Sequence, residues 1–190
     1  MSTFGTSLVV DVAPGGELRG IAAGLKALRS SPVVAHELAS GWTRVVAATS
    51  DIETLATIKV MLTSGGTCRA AVAEDNDEYG ALWVVLSAHE GKVRTVHRRY
   101  VLNADPRRRL QVRAAIRSLD RIDPRAEDVA GEPAAASAAE LFDVAPGPMV
   151  EAERSSGDAY KGIGTVGGPF PWWSALRLPW PDEATGRPLA

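Results

Sequence analysis

The sequence predicts an α+β protein with a mixed or mainly antiparallel sheet. Three observations predict it. Apolar patterns run β-α-β-α-β-β-β and then become helical, which is not the regular βα alternation of a doubly wound sheet. A hairpin pattern covers about 81–102. The composition, 45% hydrophobic and 23% charged over 190 residues, is that of an ordinary globular domain. The expected organisation is a single domain over 1–190, with a core over about 5–122. A C-terminal helical extension and an irregular Trp/Pro-rich tail fill about 123–190.

Each element has its own local reason. Ser7–Val12 reads SLVVDV, β-branched and bounded by Pro14-Gly15-Gly16, and so a buried strand. Glu17 to Arg29 places Leu18, Ile21, Ala22, Leu25 and Leu28 on one helical stripe. Ser30-Ser31-Pro32 stops that helix. Trp42–Thr49 is a second strand. Ser50 and Glu53 form a capping box that opens a second helix. Gly65-Gly66 ends it, the first glycine expected in the left-handed cap. Cys68–Glu74 is a strand, and an acidic loop, Glu74 to Glu78, leads to ALWVVLSA at Ala81–Ala88. His89-Glu90-Gly91 turns the chain, with Gly91 at positive φ, and Lys92–Leu102 returns as partner. Asp105-Pro106 is a helix start, N-cap then first-turn proline, for a helix to about Leu119. Ala134–Phe142 is a short Ala-rich helix. Pro146-Gly147-Pro148 breaks it, and Met149–Tyr160 forms another.

Several function classes are excluded or weakened. One cysteine makes no internal disulfide, so a stapled secreted scaffold is excluded. No run of about 18 apolar residues predicts a membrane span. Met1–Val10 has no basic n-region, so no secretory signal is expected. A net charge of −2 argues against a globally basic nucleic-acid coat. Abundant Ala, Arg, Gly and Val with only four lysines suit a GC-rich genome, such as an actinobacterium.

Chemical motifs are sparse. Gly162, Gly164 and Gly167 match G-x-G-x-x-G, but Pro169 and Pro171 follow where a nucleotide-binding helix must open. His36, His89 and His97 have no ligand neighbour at metal spacing, so surface histidines and no metal are expected. Cys68 precedes Arg69, a cation that could activate it, although a Cys opening a strand usually packs as a small core residue. Lys92 to Arg117 holds one Lys and eight Arg against Asp105, including Arg98-Arg99 and Arg107-Arg108-Arg109. That stretch suits phosphate, nucleic acid or an acidic partner, or internal pairing with acids such as those of 74–78. Phe170-Pro171-Trp172-Trp173 and Trp180 give either tail anchors or an aromatic binding surface.

Two segments carry a resemblance. LWVVLSAHEGKVRTVHRRYVLNADPRRR (Leu82 to Arg109) and VGGPFPWW (Val166 to Trp173) resemble small actinobacterial proteins. Some of these are similar to toxin-immunity proteins, the mycobacterial immunity factor for the tuberculosis necrotizing toxin among them. The resemblance implies a non-enzymatic cytoplasmic protein that plugs a toxin's active site, NAD being that toxin's substrate. It needs no cofactor. The residues expected to meet such a protein partner are Gly65, Gly66, Asp75, Asp77, Arg98, Arg99, Arg108, Arg109, Trp172 and Trp173. The alternatives are a small enzyme built on His97, Cys68 or an acid of 74–78, and a nucleic-acid regulator using the 92–117 arginines.

Overall fold

The computed structural model describes residues 4–30, 33–49, 54–76, 80–102, 129–159 and 171–189. Its elements are β1 (Phe4–Val12), α1 (Leu18–Ala27), β2 (Val33–Glu37), β3 (Thr43–Thr49), α2 (Thr54–Ser64), β4 (Cys68–Asn76), β5 (Gly80–His89), β6 (Lys92–Leu102), α3 (Glu132–Leu141), α4 (Pro146–Ala159), α5 (Pro171–Ala175) and β7 (Arg187–Pro188). The fold is α+β, as expected, with a seven-stranded antiparallel sheet of order β6-β5-β4-β1-β3-β2-β7. The β5–β6 hairpin therefore closes one edge. Glu90 (φ 49°) and Gly91 (φ 73°) make its two-residue turn. Two positive φ values in succession are the type I′ geometry whose twist matches the flanking strands.

The chain groups into two compact units. One comprises Gly5–Val72, Val85–Arg94 and Leu178–Ala190. Its β1-α1-β2-β3-α2-β4 run, with strands in the order 4-1-3-2, is a ferredoxin-like split βαβ arrangement. Register assigns the two faces of its sheet. Thr49 Oγ donates to the Leu28 carbonyl at the end of α1 (2.7 Å), and the Cys68 thiol points at the Leu62 carbonyl of α2 (3.6 Å). Thr49, Ala47 and Val45 are opposite Thr6, Leu8 and Val10, so this set faces the helices. Residues one step out of phase, Val9, Asp11, Arg44, Val46, Val34 and His36, lie on the face away from α1 and α2.

Close approach fixes how the two helices pack. A Cβ on Gly24 of α1 would lie 2.5 Å from Met61 Cγ of α2, and one on Gly65 would lie 2.8 Å from Ile21 Cδ1. Gly65 is thus a packing glycine. The left-handed residue is the second of the pair, Gly66 (φ 78°), which corrects the expectation for the first. Hydrogen bonds from Ala13 N to Thr67 O and Glu17 N to Gly65 O tie this loop to the loop after β1.

The other unit comprises Met1–Phe4, Ala73–Val84 and Thr95–Arg177. In it α3 buries Ala134, Ala135, Ala138 and Ala139, small side chains that let α4 pack closely, and α4 buries Met149 and Ala152. α4 begins at Pro146, not Met149. Pro146 and Pro148 occupy the first turn, where no intrahelical N–H is needed, so the prolines start this helix rather than break its predecessor. β2 and β7 were not expected, because each is short and only half-patterned. The Ser50/Glu53 capping box, the Asp105–Leu119 helix and the Gly162–Gly167 motif lie outside the described residues. No described helix is long and apolar enough to cross a membrane.

Candidate functional site

In the ferredoxin-like unit a row of polar side chains crosses the face away from α1 and α2. His36 of β2 is the cross-strand partner of Arg44 of β3, and Arg44 is that of Asp11 of β1. Arg44 donates from Nε to Asp11 Oδ1 and from Nη2 to Oδ2, both at 2.7 Å. From β4, Arg69 Nε donates to Asp11 Oδ2 at 2.9 Å. The Asp11 side chain is 0% exposed, Arg69 4% and Arg44 11%. Trp42, two residues before Arg44, places its ring 4.5 Å from the Arg69 guanidinium carbon, a cation–π contact. His36 Nδ1 is buried and has no hydrogen-bond partner among the described residues. Two guanidinium groups thus share one carboxylate, with a histidine donor or acceptor beside the outer one.

Sequence reasoning passed over this row. The signal was present: Asp11, Arg44 and Arg69 each interrupt an apolar strand, in SLVVDV, RVVAA and CRAAVA. A charge in the middle of a buried strand needs a partner.

The second unit holds a different polar cluster. Trp83 Nε1 donates to His97 Nδ1 at 2.9 Å, so His97 carries its proton on Nε2 and donates it to Glu153 Oε2 at 3.1 Å. Trp172 Nε1 donates to the same Oε2 at 3.1 Å. Gly131 N donates to Oε1 at 2.8 Å, and Arg99 Nε lies 3.4 Å from that oxygen. Trp83 stacks on Trp172 at 6.1 Å between centroids and meets Trp173 edge-on at 6.2 Å. Burial, opposed by the Glu153 carboxylate, holds the His97 pKa below its ordinary value. Both imidazole nitrogens are engaged within the cluster, and the ring is 0% exposed.

These positions revise several expectations. His97 is fully buried, not a surface histidine, while His89 is exposed with Thr67 Oγ at 3.0 Å from its Nδ1. Burial pushes the Cys68 thiol up to about 11, so it is a core residue and no nucleophile. Trp172 and Trp173 are 0% exposed and present no surface to a partner. Gly65 is buried and Gly66 half-buried in the loop described above. Arg98 and Arg99 are half-buried on β6, where Arg98 N donates to Val129 O and Arg99 pairs with Glu153. Asp75 is on β4; its side chain, Asp77, Arg108 and Arg109 lie outside the described residues. Among the described residues, no three His, Cys, Asp or Glu side chains converge as metal ligands.

No protein-family profile and no curated protein matches the chain. Among solved structures, the chain is similar to LarC2, the C-terminal domain of a cyclometallase involved in the synthesis of the NPN cofactor of lactate racemase, in its apo form. The TM-score is 0.29 and the identity 10%, over 63% of this chain and 99% of that one. The toxin-blocking immunity function is corrected by burial: the tryptophan pair expected to anchor a toxin is 0% exposed and belongs to the core.

Proposed function

We propose that this chain is a ligand-binding protein that takes up a small carboxylate or phosphate on the sheet face away from α1 and α2, between Arg44 and His36. The pairing geometry of Arg44 carries the reading. Asp11 engages Arg44 side-on, through Nε and Nη2. A guanidinium has five N–H donors in a planar fork, so among the described residues its outer edge is left for a second bidentate partner. On the flank away from Asp11 the cross-strand neighbour is His36, whose buried Nδ1 lacks a partner among the described residues. One ligand oxygen against His36 and two against Arg44 bring four of the five guanidinium donors and the His36 Nδ1 into hydrogen bonds. Asp11 fixes the guanidinium plane beforehand, which lowers the entropy lost on binding.

Calorimetric titration with sodium phosphate and with citrate tests this, followed by NMR of the Arg44 and His36 side chains. Saturable binding of one class is expected, weakening with salt. Arg44→Met and His36→Phe are each expected to weaken it about tenfold, the equivalent of one lost hydrogen bond to a charged group. Absence of saturable binding for both anion classes in the unaltered protein overturns the proposal.

A further inference from the structure

We propose that His97 is a pH-sensitive latch: one proton on its Nδ1 releases α4 and α5 from β5 and β6. This concerns the second unit alone and does not depend on anion binding. The latch follows from the directions of its hydrogen bonds. His97 can accept from Trp83 only while Nδ1 keeps its lone pair, and it serves Glu153 only through Nε2–H. A single tautomer therefore joins β5, β6 and α4. The Glu153 carboxylate extends the connection to Trp172 of α5 and to the Gly131 N–H before α3.

On the imidazole ring, a second proton has nowhere to go except Nδ1. There it meets the Trp83 N–H, and two buried donors then face each other across 2.9 Å. Indole has no acceptor atom with which to answer. Trp83 cannot easily turn away, because its ring is stacked on Trp172 and edged by Trp173. Opening the cluster to water relieves the conflict.

Among the described residues, the charged groups facing His97 are Glu153 from α4 and Arg99 from its own strand. Glu153 favours the imidazolium; Arg99 and burial oppose it, and burial is the largest influence. Glu132 of α3 and Arg154 of α4 pair with one another at 2.8 Å on the surface. Because the folded-state pKa is lowered, the opened form binds the proton better. The latch's stabilisation is complete above the ordinary histidine value of 6.5 and is lost as pH falls through the lower folded-state value.

Near-UV circular dichroism and tryptophan fluorescence from pH 8 to pH 4 test the latch. His97→Gln keeps an acceptor for Trp83 and a donor for Glu153 but cannot titrate. The expected result is a cooperative loss of the tryptophan signals below about pH 6.5 in the unaltered protein, with uptake of one proton. His97→Gln is expected to stay flat over that range, while His36→Gln and His89→Gln follow the unaltered protein. An identical transition in His97→Gln overturns the proposal. Should that variant fail to fold, nitrogen NMR of the native protein decides. Protonation of His97 from the Nε2–H form in step with the transition supports the latch, and a transition without it overturns it.

Discussion

Asp11 and Arg44 face each other across β1 and β3 and share two hydrogen bonds of 2.7 Å, while Arg69 reaches the same carboxylate from β4. Removing the carboxylate leaves two mostly buried guanidinium groups without it. Asp11→Asn is therefore expected to lower unfolding stability by about 3–5 kcal/mol, as broken buried ion pairs do. Replacing all three partners, with Asp11→Leu, Arg44→Met and Arg69→Met, is expected to recover most of that loss in denaturant titrations. A triple variant no more stable than Asp11→Asn argues that the row is not an isolated electrostatic unit.

Gly24 offers a test of sign. In an ordinary helix interior, Gly to Ala stabilises by about 1 kcal/mol. Here the new methyl would press on Met61, with Cγ at 2.5 Å. Gly24→Ala is expected to destabilise by about 1–3 kcal/mol, the range for an overpacked core. The same change made in a Met61→Ala background is expected to cost less, or to stabilise. A double-mutant cycle by chemical denaturation reads the difference.

Cys68 should be silent toward alkylating reagents. With its thiol pushed up to about 11 by burial, almost none is thiolate at pH 8. Mass spectrometry is expected to show no iodoacetamide adduct on the folded protein and full labelling in concentrated guanidinium. Rapid labelling of the native state would show that the α2–β4 junction opens readily.

Glu74 predicts stability that falls with rising pH. Burial raises its carboxyl to about 7, from an ordinary 4.5. A carboxyl with a raised folded-state pKa holds its proton better when folded. Its contribution is present below 4.5 and is lost as pH rises to about 7. Glu74→Gln is expected to raise the melting temperature above pH 7 and to change it little at pH 4. A shift of equal size at both pH values contradicts the assignment.

Much of the fold was legible because local patterns determined it. Turn chemistry at Glu90-Gly91 gave the β5–β6 hairpin, and periodic Ile21, Leu25 and Leu28 gave α1. β2 was not legible. Val33–Glu37 is only five residues long and half-buried, so it carries too weak an apolar pattern to mark the first strand of its hairpin with β3. The candidate site was hidden by distance along the chain: Asp11 and Arg69 are 58 residues apart, and only the sheet order β4-β1-β3 makes them neighbours. His97 and Trp172 could be named from the sequence, but not their shared carboxylate. Glu153 is one acid of 23 Asp and Glu, on a helix whose start the prolines obscured.

The position of β1 also bears on synthesis. It lies between β3 and β4, so both neighbours are made after it. At about 5–20 residues per second, β1 waits several seconds on the ribosome before β4 is complete. During that time Leu8, Val9, Val10 and Val12 form an open, β-prone run that invites pairing with other chains. Asp11 interrupts it with a charge, as gatekeeper residues do in aggregation-prone segments. The carboxylate that must be neutralised once the sheet closes is also the group that keeps the nascent strand apart from its neighbours before then.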